Sequence, residues 1–349
     1  MAAKDFCEIC LEETPIPEDA VKTATPYRLA NEEVYLPARA ARLSPGVQHL
    51  DRADELRNIT GAVPRLIEGY EVGGSISERC YLKDLTWLLA IAGFDYVHTA
   101  GDGLITDPDG DAIPVGTHRW VYSKRDAITA RTAQMRLNYA TEDILLTGNG
   151  IGVPQLQLTA AGELSADLVG MVLARAAADT TTVPAVAAST IPPIRRGDLF
   201  LSWLSGGGKV ADFSVQVANA LERINSLSKD PPSYFPDDLE LGNDQVQVTG
   251  SVPKRVLDGT DYDALLAATS FAAVARWVTP KVIGATAYKY SLWVEMPSCQ
   301  LVSGDADELG NKRRHGANYD FFAAYDEALG YDVKITVVND VAAIDTWGS

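Results

Sequence analysis

The sequence predicts a mainly β protein of the α+β type, built from two similar domains in tandem, each with one flanking α-helix. A repeated motif is the first observation behind this prediction. The pattern Val-x-Gly-Ser-(Ile/Val)-x-x-Arg covers residues 72–79 and returns at residues 248–255. Gly74, Ser75 and Arg79 thereby correspond to Gly250, Ser251 and Arg255, at an offset of 176 in a chain of 349 residues. Solenoid repeats are only about 20–50 residues long, so a fused pair of like domains is the better interpretation.

An apolar stretch with helical spacing follows each copy of the motif, and this is the second observation. Residues 81–92 place Leu85, Leu88 and Leu89 on one face. Residues 262–278 do the same with Leu265, Leu266, Phe271 and Val274. Apolar residues three and four positions apart indicate an amphipathic helix. One helix per domain is therefore expected.

Alternating runs in the same order in both halves are the third observation. Residues 130–139 follow the first predicted helix and residues 286–295 follow the second, and both runs have the period of two that is typical of strands. Each half is then predicted to end in a β-hairpin with a turn glycine. The expected hairpins join residues 153–159 to 164–169 through Gly162, and residues 319–325 to 331–339 through Gly330.

The predicted domains are residues 1–180 and residues 181–349. Small residues and prolines without periodicity occupy residues 179–193, which we take as the linker. The Pro-rich and acidic residues 1–40 are expected to form an N-terminal arm. Long loops are expected at residues 99–116 and 225–242.

Three strand-like segments carry an unusual set of polar residues. In residues 155–159, 213–219 and 245–249 the residues between the apolar positions are mostly Gln, Ser and Thr, with almost no charge. A solvated sheet face usually carries charge, whereas a neutral face suits contact with another subunit or the wall of a channel. A thinly charged exposed face is the alternative.

The charge and composition of the chain exclude several classes of protein. A formal net charge of −17 argues against tight binding to nucleic acid, which requires clustered Lys and Arg. No apolar run reaches the roughly 18–20 residues of a membrane span, and the N-terminus is unlike a signal peptide. Four scattered cysteines are too few for a disulfide framework, so a soluble protein of a reducing compartment is expected.

No catalytic or cofactor-binding motif is complete. Cys7 and Cys10 form half of a zinc motif, with no second pair at ligand spacing. Asp107, Asp109 and Asp111 lie in a Gly-containing loop that lacks the closing acidic residue of a calcium loop, so a solvated turn is expected. Residues 206–209 and 148–152 miss the phosphate-loop and dinucleotide patterns. The sequence therefore predicts no enzyme, no cofactor and no metal.

The order of these segments resembles the tail tube proteins (major tail proteins) of long-tailed, non-contractile bacteriophages. The segments that carry the resemblance are residues 213–221, 248–252, 292–297 and 331–339, with residues 74–76 and 85–93 as the corresponding piece of a first copy. Each motif is short, and the specificity comes from their order over most of both halves.

The resemblance implies a β-sandwich or barrel with a flanking helix per unit, whose inner strands join those of neighbours around a channel. Six units form a ring, and stacked rings form the tube through which DNA leaves the virion. In one subfamily two units are fused in a chain, and three chains form a pseudo-sixfold ring. The implied partners are further copies of the chain, with a hexamer as the alternative to the trimer, the tape measure protein, and the tail terminator and distal tail proteins. Double-stranded DNA would pass without tight binding, no membrane is involved, and the location is the phage tail after assembly in the host cytoplasm.

Three other functions remain open from the sequence. A distal tail or baseplate ring protein shares the fold, a carbohydrate-binding or host-attachment module is another kind of β-sandwich, and a β-rich hydrolase would need a nucleophile that we do not find. The basic cluster Lys312, Arg313 and Arg314 is expected at a contact between subunits or rings, with a solvated loop as the alternative. Asp and Glu from turns and strand ends are expected to make the channel negative.

Overall fold

The computed structural model of the chain describes thirteen segments. They are residues 6–12, 34–36, 38–50, 66–124, 132–178, 192–204, 210–218, 221–224, 238–241, 247–255, 259–306, 316–342 and 346–347. In this part of the chain strands predominate and there are two short α-helices, α1 (Leu82–Ile91) and α2 (Gly259–Leu266). The predicted mainly β fold class is thereby confirmed. Below, the first half means the described residues up to 178 and the second half those from 192.

The strands follow one another along the chain with these bounds. They are β1 Phe6–Glu12, β2 Val34–Leu36, β3 Ala40–Leu50, β4 Leu66–Arg79, β5 Asp95–Ala100, β6 His118–Lys124, β7 Ala133–Tyr139, β8 Ile144–Thr159, β9 Glu163–Gly170, β10 Val172–Ala176, β11 Leu199–Ser202, β12 Ser214–Ala218, β13 Leu221–Ile224, β14 Asp238–Leu241, β15 Gln247–Lys254, β16 Phe271–Val282, β17 Lys289–Ala306, β18 Ala317–Ala323, β19 Lys334–Asn339 and β20 Thr346–Trp347.

The first helix forms where the sequence predicts it, but the second is much shorter than predicted. Helix α2 ends at Leu266, and Phe271 and Val274, which were assigned to its face, lie in β16. In β16 the alternate residues Ala273, Ala275 and Trp277 are buried, which is the period of a strand. Because alanine fits both a helical and a strand pattern, the run of small residues concealed the change of period.

One long antiparallel sheet runs through both halves. Its strands are arranged in the order β3-β4-β9-β8-β12-β15-β18-β17. The pairing of β8 with β12 joins the two halves, since β8 belongs to the first half and β12 to the second. We call this eight-stranded layer the long sheet.

Strands β8 and β17 are long enough to belong to two sheets each. Their C-terminal parts lie in the long sheet, and their N-terminal parts pair elsewhere: β8 with β7 and β10, and β17 with β16 and β19. In both strands an irregularity in register lies close to the change of sheet, between Gly152 and Gln155 and between Leu301 and Ser303. An irregularity of this kind bends a strand and increases its twist.

The same six strand pairings occur in the same order in each half. In the first half they are β1·β7, β7·β8, β8·β10, β8·β9, β4·β9 and β3·β4. In the second half they are β11·β16, β16·β17, β17·β19, β17·β18, β15·β18 and β12·β15. All twelve are antiparallel, and a helix follows β4 and β15. By their place in this pattern, β1 corresponds to β11, β3 to β12 and β4 to β15. Strands β7, β8, β9 and β10 correspond to β16, β17, β18 and β19, in that order.

These pairings confirm one predicted hairpin and correct the other. Strands β8 and β9 form a hairpin whose turn contains Gly162 at a φ of +74°. The second predicted hairpin is wrong, because β18 and β19 do not pair with each other and are linked only by a bridge between Asp326 and Tyr331. Both pair with β17, along different parts of its length. The sequence analysis also matched residues 130–139 with residues 286–295. These ranges contain β7 and the start of β17, whereas the pairings show that β7 corresponds to β16, so the match is shifted by one strand.

The hairpin of β5 and β6 has no counterpart in the second half. In the first half it lies between α1 and β7, whereas only residues 267–270 separate α2 from β16. Strand β6 pairs with β19, so this hairpin extends a sheet of the second half. The expected long loop lies within it, at residues 101–117. The other expected loop is wrong at its end, since Asp238–Leu241 form β14, which pairs with β13. The expected N-terminal arm is wrong for Phe6–Glu12, which form β1 and pair with β7. The rest of that loop and most of the arm and linker lie outside the described residues.

Candidate assembly surface

The neutral polar residues predicted on three separate strands come together on one face of the long sheet. Gln157 of β8 lies opposite Gln216 of β12, which lies opposite Thr249 of β15. In the next row Ser214 and Ser251 lie opposite each other, and their hydroxyl oxygens are 2.9 Å apart. The sequence pattern therefore marks a continuous surface that crosses the junction between the halves. We call it the polar face.

The opposite face of the long sheet is apolar and buried. The buried residues on it are Leu43, Val72, Ile76, Leu156, Leu158, Leu164, Ala166, Leu168, Val215, Val217, Val248, Val252, Tyr319 and Phe321. Burial of this face drives formation of the sheet, at about 25 cal/mol for each Å² of apolar surface removed from water. It also fixes the register, because a slip of one residue would turn the apolar side chains to the polar face.

Two aspartates occupy equivalent positions on the polar face. Asp167 of β9 lies opposite Ser75, and Asp320 of β18 lies opposite Ser251. The serines of the repeated motif therefore have the same neighbour in each half. Both aspartates are exposed, and the Ser303 hydroxyl donates a hydrogen bond of 2.7 Å to Asp320. These two carboxylates lie within strands. The acidic residues expected from the sequence were instead those of turns and strand ends.

The motif glycines lie where two strands approach closely. A Cβ atom on Gly74 would come within 2.2 Å of the Arg42 carbonyl oxygen, and one on Gly250 within 2.2 Å of the Ser214 carbonyl oxygen. Any side chain is excluded at both positions, which explains the glycine in each motif. The motif arginines, Arg79 and Arg255, are exposed at the C-terminal ends of β4 and β15.

The long sheet has an open edge at each end. Among the described residues β3 pairs only with β4, and the last residues of β17, from Ser303, pair only with β18. The exposed edge residues include Arg42 and Val47 on β3, and Val302 and Asp305 on β17. Unpaired strand edges present free backbone donors and acceptors and invite pairing with another chain.

The two helices differ sharply in exposure. Helix α1 is covered by the second half, whose Asn339 side chain donates to Thr86, and by β6 of its own half, whose Tyr122 hydroxyl donates to the Thr86 carbonyl. Thr86 and Ala90 are fully buried. Their counterparts at the repeat offset, Tyr262 and Leu266 of α2, are 46% and 71% exposed.

The loop of the β5–β6 hairpin is fixed to the second half through its aspartates. Asp107 is buried; it accepts backbone hydrogen bonds from Asp109 and Asp111, and the Tyr288 hydroxyl donates to it. Asp109 forms an ion pair of 2.8 Å with Arg276. The expectation of a solvated turn is therefore wrong for Asp107. Its carboxylate provides the acceptors that this tight loop needs, and the neighbour that binds it is distant in sequence.

The position before each motif arginine is buried and ionisable in both halves. In the second half Lys254 forms a buried ion pair with Asp261 of α2. In the first half the residue is Glu78, and burial, followed by the charge of Asp84, raises the pKa of its carboxyl well above the ordinary value. Burial also raises the pKa of Asp84 to about 7, against the opposing influence of Lys83.

Other candidate sites are not assembled. Cys7 is buried in β1 as a free thiol, and the side chain of Cys10 lies outside the described part of the structure. Among the described residues no group of three His, Cys, Asp or Glu side chains is placed to hold a metal ion. No helix in the described part of the chain is long and apolar enough to cross a membrane. Lys312, Arg313 and Arg314 lie outside the described residues.

No protein-family model matches the chain, and no curated protein sequence matches it significantly. Sequence reasoning found the polar strands and the glycines, but it missed the open edges and the exposed face of α2. An exposed face could have been suspected from Tyr262 and Leu266, which occupy positions held by Thr86 and Ala90 in the first copy.

Proposed function

We propose that this protein is a structural virion protein that polymerises as stacked rings into the tail tube of a long-tailed, non-contractile bacteriophage. The observation that carries the proposal is the long sheet, which runs through both halves with one buried apolar face and one polar face whose central residues are neutral. A single sheet of this kind, open at both edges, is the shape of a segment of a larger barrel wall.

Closure into a ring would remove the open edges. An edge strand in water is prone to uncontrolled pairing, and a closed barrel has no edges. Since the two edges belong to different strands, β3 and β17, copies of the chain would meet head to tail. Head-to-tail contacts form closed rings when the rotation between copies divides a full turn.

The polar face has the chemistry of a channel wall for DNA. At its centre lie Gln, Ser and Thr side chains, together with the equivalent carboxylates Asp167 and Asp320. Carboxylates repel phosphates within a Debye length of roughly 8–10 Å, and the net charge of −17 agrees with this. Duplex DNA could pass along such a wall without being retained.

We further propose that each chain contributes two tandem tail-tube domains, residues 1–180 and 181–349. The six shared pairings support two copies of one unit, and three such chains would supply six units to a ring. The other partners in this proposal are the tape measure protein and the tail terminator and distal tail proteins, which would meet the ends or the interior of the tube.

The alternative functions receive less support. A distal tail or baseplate ring protein fits the same sheet and differs in forming a single ring. A carbohydrate-binding module would present aromatic side chains to solvent, yet Trp120, Trp203, Trp277 and Trp293 are all buried. A hydrolase would need a nucleophile, which the sequence does not single out.

Electron microscopy of the purified protein tests the proposal. The tube function predicts hollow polymers of constant diameter with a pore wide enough for duplex DNA. Single rings that never stack would favour the distal tail function, and a monomer at all concentrations would overturn both. Native mass spectrometry of rings then distinguishes three chains from six.

A further inference from the structure

We propose that the contact between two copies of this chain repeats the contact between its own two halves. Two separate surfaces support this inference: the open strand edges of the long sheet and the exposed face of α2. It deepens the proposed function by specifying the partner surface, but it requires only head-to-tail association and not a finished tube.

The contact between the halves is a short antiparallel ladder. The C-terminal part of β8 pairs with β12, so that Gln157 lies opposite Gln216 and Gln155 lies opposite Ala218. Strand β12 corresponds to β3, because Val215 lies opposite Gly250 as Leu43 lies opposite Gly74. The open edge of β3 is thus the counterpart of the edge that β12 presents to β8.

The same correspondence identifies the other strand of the new ladder. Asp167 lies opposite Gln155 in the first half, and its counterpart Asp320 lies opposite Ser303 in the second. The last residues of β17 therefore correspond to the part of β8 that pairs with β12. If the two open edges pair in the same register as β8 and β12, Asp305 lies opposite Ser44 of the next copy. Ser303 then lies opposite Gly46 of that copy.

The exposed helix face gives the second line of evidence. Helix α1 packs against β19 of the other half, where Asn339 contacts both Leu82 and Thr86. In the same arrangement α2 would pack against the counterpart of β19, which is β10 of the next copy. Tyr262 and Leu266, the exposed counterparts of buried Thr86 and Ala90, would then be covered. In the described structure β10 pairs only with β8, so its outer edge is open.

Charge makes the contact between copies different from the one within the chain. In the transferred register Asp305 of one copy is the diagonal neighbour of Arg42 in the next, within reach of a long side chain. The corresponding residues within the chain, Gln157 and Ser214, are uncharged. A complementary charge pair on exposed strands favours a second copy as the occupant of these edges.

Cysteine pairs test the register directly. Ser44→Cys combined with Asp305→Cys is expected to give disulfide-linked oligomers on oxidation of the assembled protein, because directly opposite residues have Cβ atoms about 4.5–5.5 Å apart. The control combines Ser44→Cys with Asp320→Cys. Asp320 lies on β18, which is separated from the open edge by β17, so this variant should remain monomeric on a non-reducing gel. Assembled protein in which the test pair does not cross-link, or does so no better than the control, overturns the register.

Charge exchange and a helix substitution test the two surfaces separately. Arg42→Glu and Asp305→Arg should each raise the protein concentration needed for assembly, and the double variant should restore the original value. Lys281→Glu is the control for Arg42→Glu, with the same change of charge. Leu266→Asp should raise that concentration by about tenfold or more, as expected for an apolar residue at an interface centre. Leu104→Asp replaces a leucine that is 86% exposed away from this surface, and it should leave ring formation intact.

The outcomes separate this inference from the proposed function. Cross-linked open chains without tubes would support the contact and contradict the tube. Tubes in which Leu266→Asp and Arg42→Glu assemble like the wild type would support the tube and contradict the contact. Failure of the double charge variant to recover assembly would contradict the pairing of Arg42 with Asp305.

Discussion

Gly74 and Gly250 occupy the same place in two equivalent strand ladders, 176 residues apart in the sequence. At both glycines the carbonyl oxygen that excludes a Cβ belongs to the residue just before the direct cross-strand partner, which is Leu43 or Val215. This agreement extends from the backbone geometry to the neighbours, since Ser75 and Ser251 each lie opposite an aspartate. A shared geometry at this level of detail is what an internal duplication would leave.

Replacement of either glycine by alanine should destabilise the protein by a similar amount. The added methyl group would force β4 away from β3, or β15 away from β12, at a cost of about 1–3 kcal/mol. Gly73→Ala is the matched control, because its nearest neighbouring atom lies 4.0 Å from the added Cβ. Urea denaturation of the unassembled protein measures the difference. Equal stability of Gly74→Ala and Gly73→Ala would show that the close approach is not rigid.

The sequence predicts the strands of this protein better than their partners. Alternation identified β8, β9, β12 and β15, because one face of each is buried and the other is polar. It does not show which strands pair, and the predicted hairpin of β18 and β19 fails for this reason. Both strands alternate, but the long strand β17 provides the partner for each.

The candidate surface was only partly predictable for a similar reason. Neutral residues on three strands indicated a special face, but only the β8–β12 pairing shows that they form one surface. Solvent exposure of α2 was hidden, because Leu265 and Leu266 fit an ordinary buried helix face. An exposed leucine and a core leucine look the same in the sequence, so only the comparison of Tyr262 and Leu266 with Thr86 and Ala90 could have raised a suspicion.

Loss of one partner from the buried ion pair of Lys254 and Asp261 should strongly destabilise the second half. Asp261→Asn would leave the buried ammonium without the carboxylate that it contacts, at a cost of about 3–5 kcal/mol. Replacing both residues together, with Lys254→Met and Asp261→Leu, should recover most of that loss, because a buried pair can be replaced by apolar residues of similar volume. Thermal unfolding of the two variants gives the comparison. A double variant as unstable as the single one would contradict this account.

The hairpin loop should depend on the hydrogen bond between Tyr288 and Asp107. Tyr288→Phe removes the hydroxyl donor and leaves a buried carboxylate oxygen without it, which should lower stability by about 1–3 kcal/mol. Hydrogen exchange should rise at residues 101–117 in the variant, since this bond ties the loop to the second half. Tyr325→Phe, at an exposed tyrosine, is the control. Unchanged exchange in the loop would mean that the Asp109–Arg276 ion pair is sufficient to hold it.

Stability should fall as the pH rises from about 4 to about 7, because of Asp84. Burial raises its pKa from an ordinary value of 3.8 to about 7, so over this range the folded state binds a proton that the unfolded state has released. The free energy of unfolding therefore decreases with pH in this window, by a total on the order of 3–4 kcal/mol, and is independent of this group below and above it. Asp84→Asn removes this titrating group and should reduce the slope, most visibly as a gain in stability at pH 8. A smaller slope should remain, because burial also raises the pKa of the Glu78 carboxyl. Asp263→Asn, on the exposed side of α2, is the surface variant for comparison. Parallel pH profiles of the wild type and Asp84→Asn in denaturant titrations would contradict this prediction. They would mean that the pKa of Asp84 is the same in the folded and the unfolded protein.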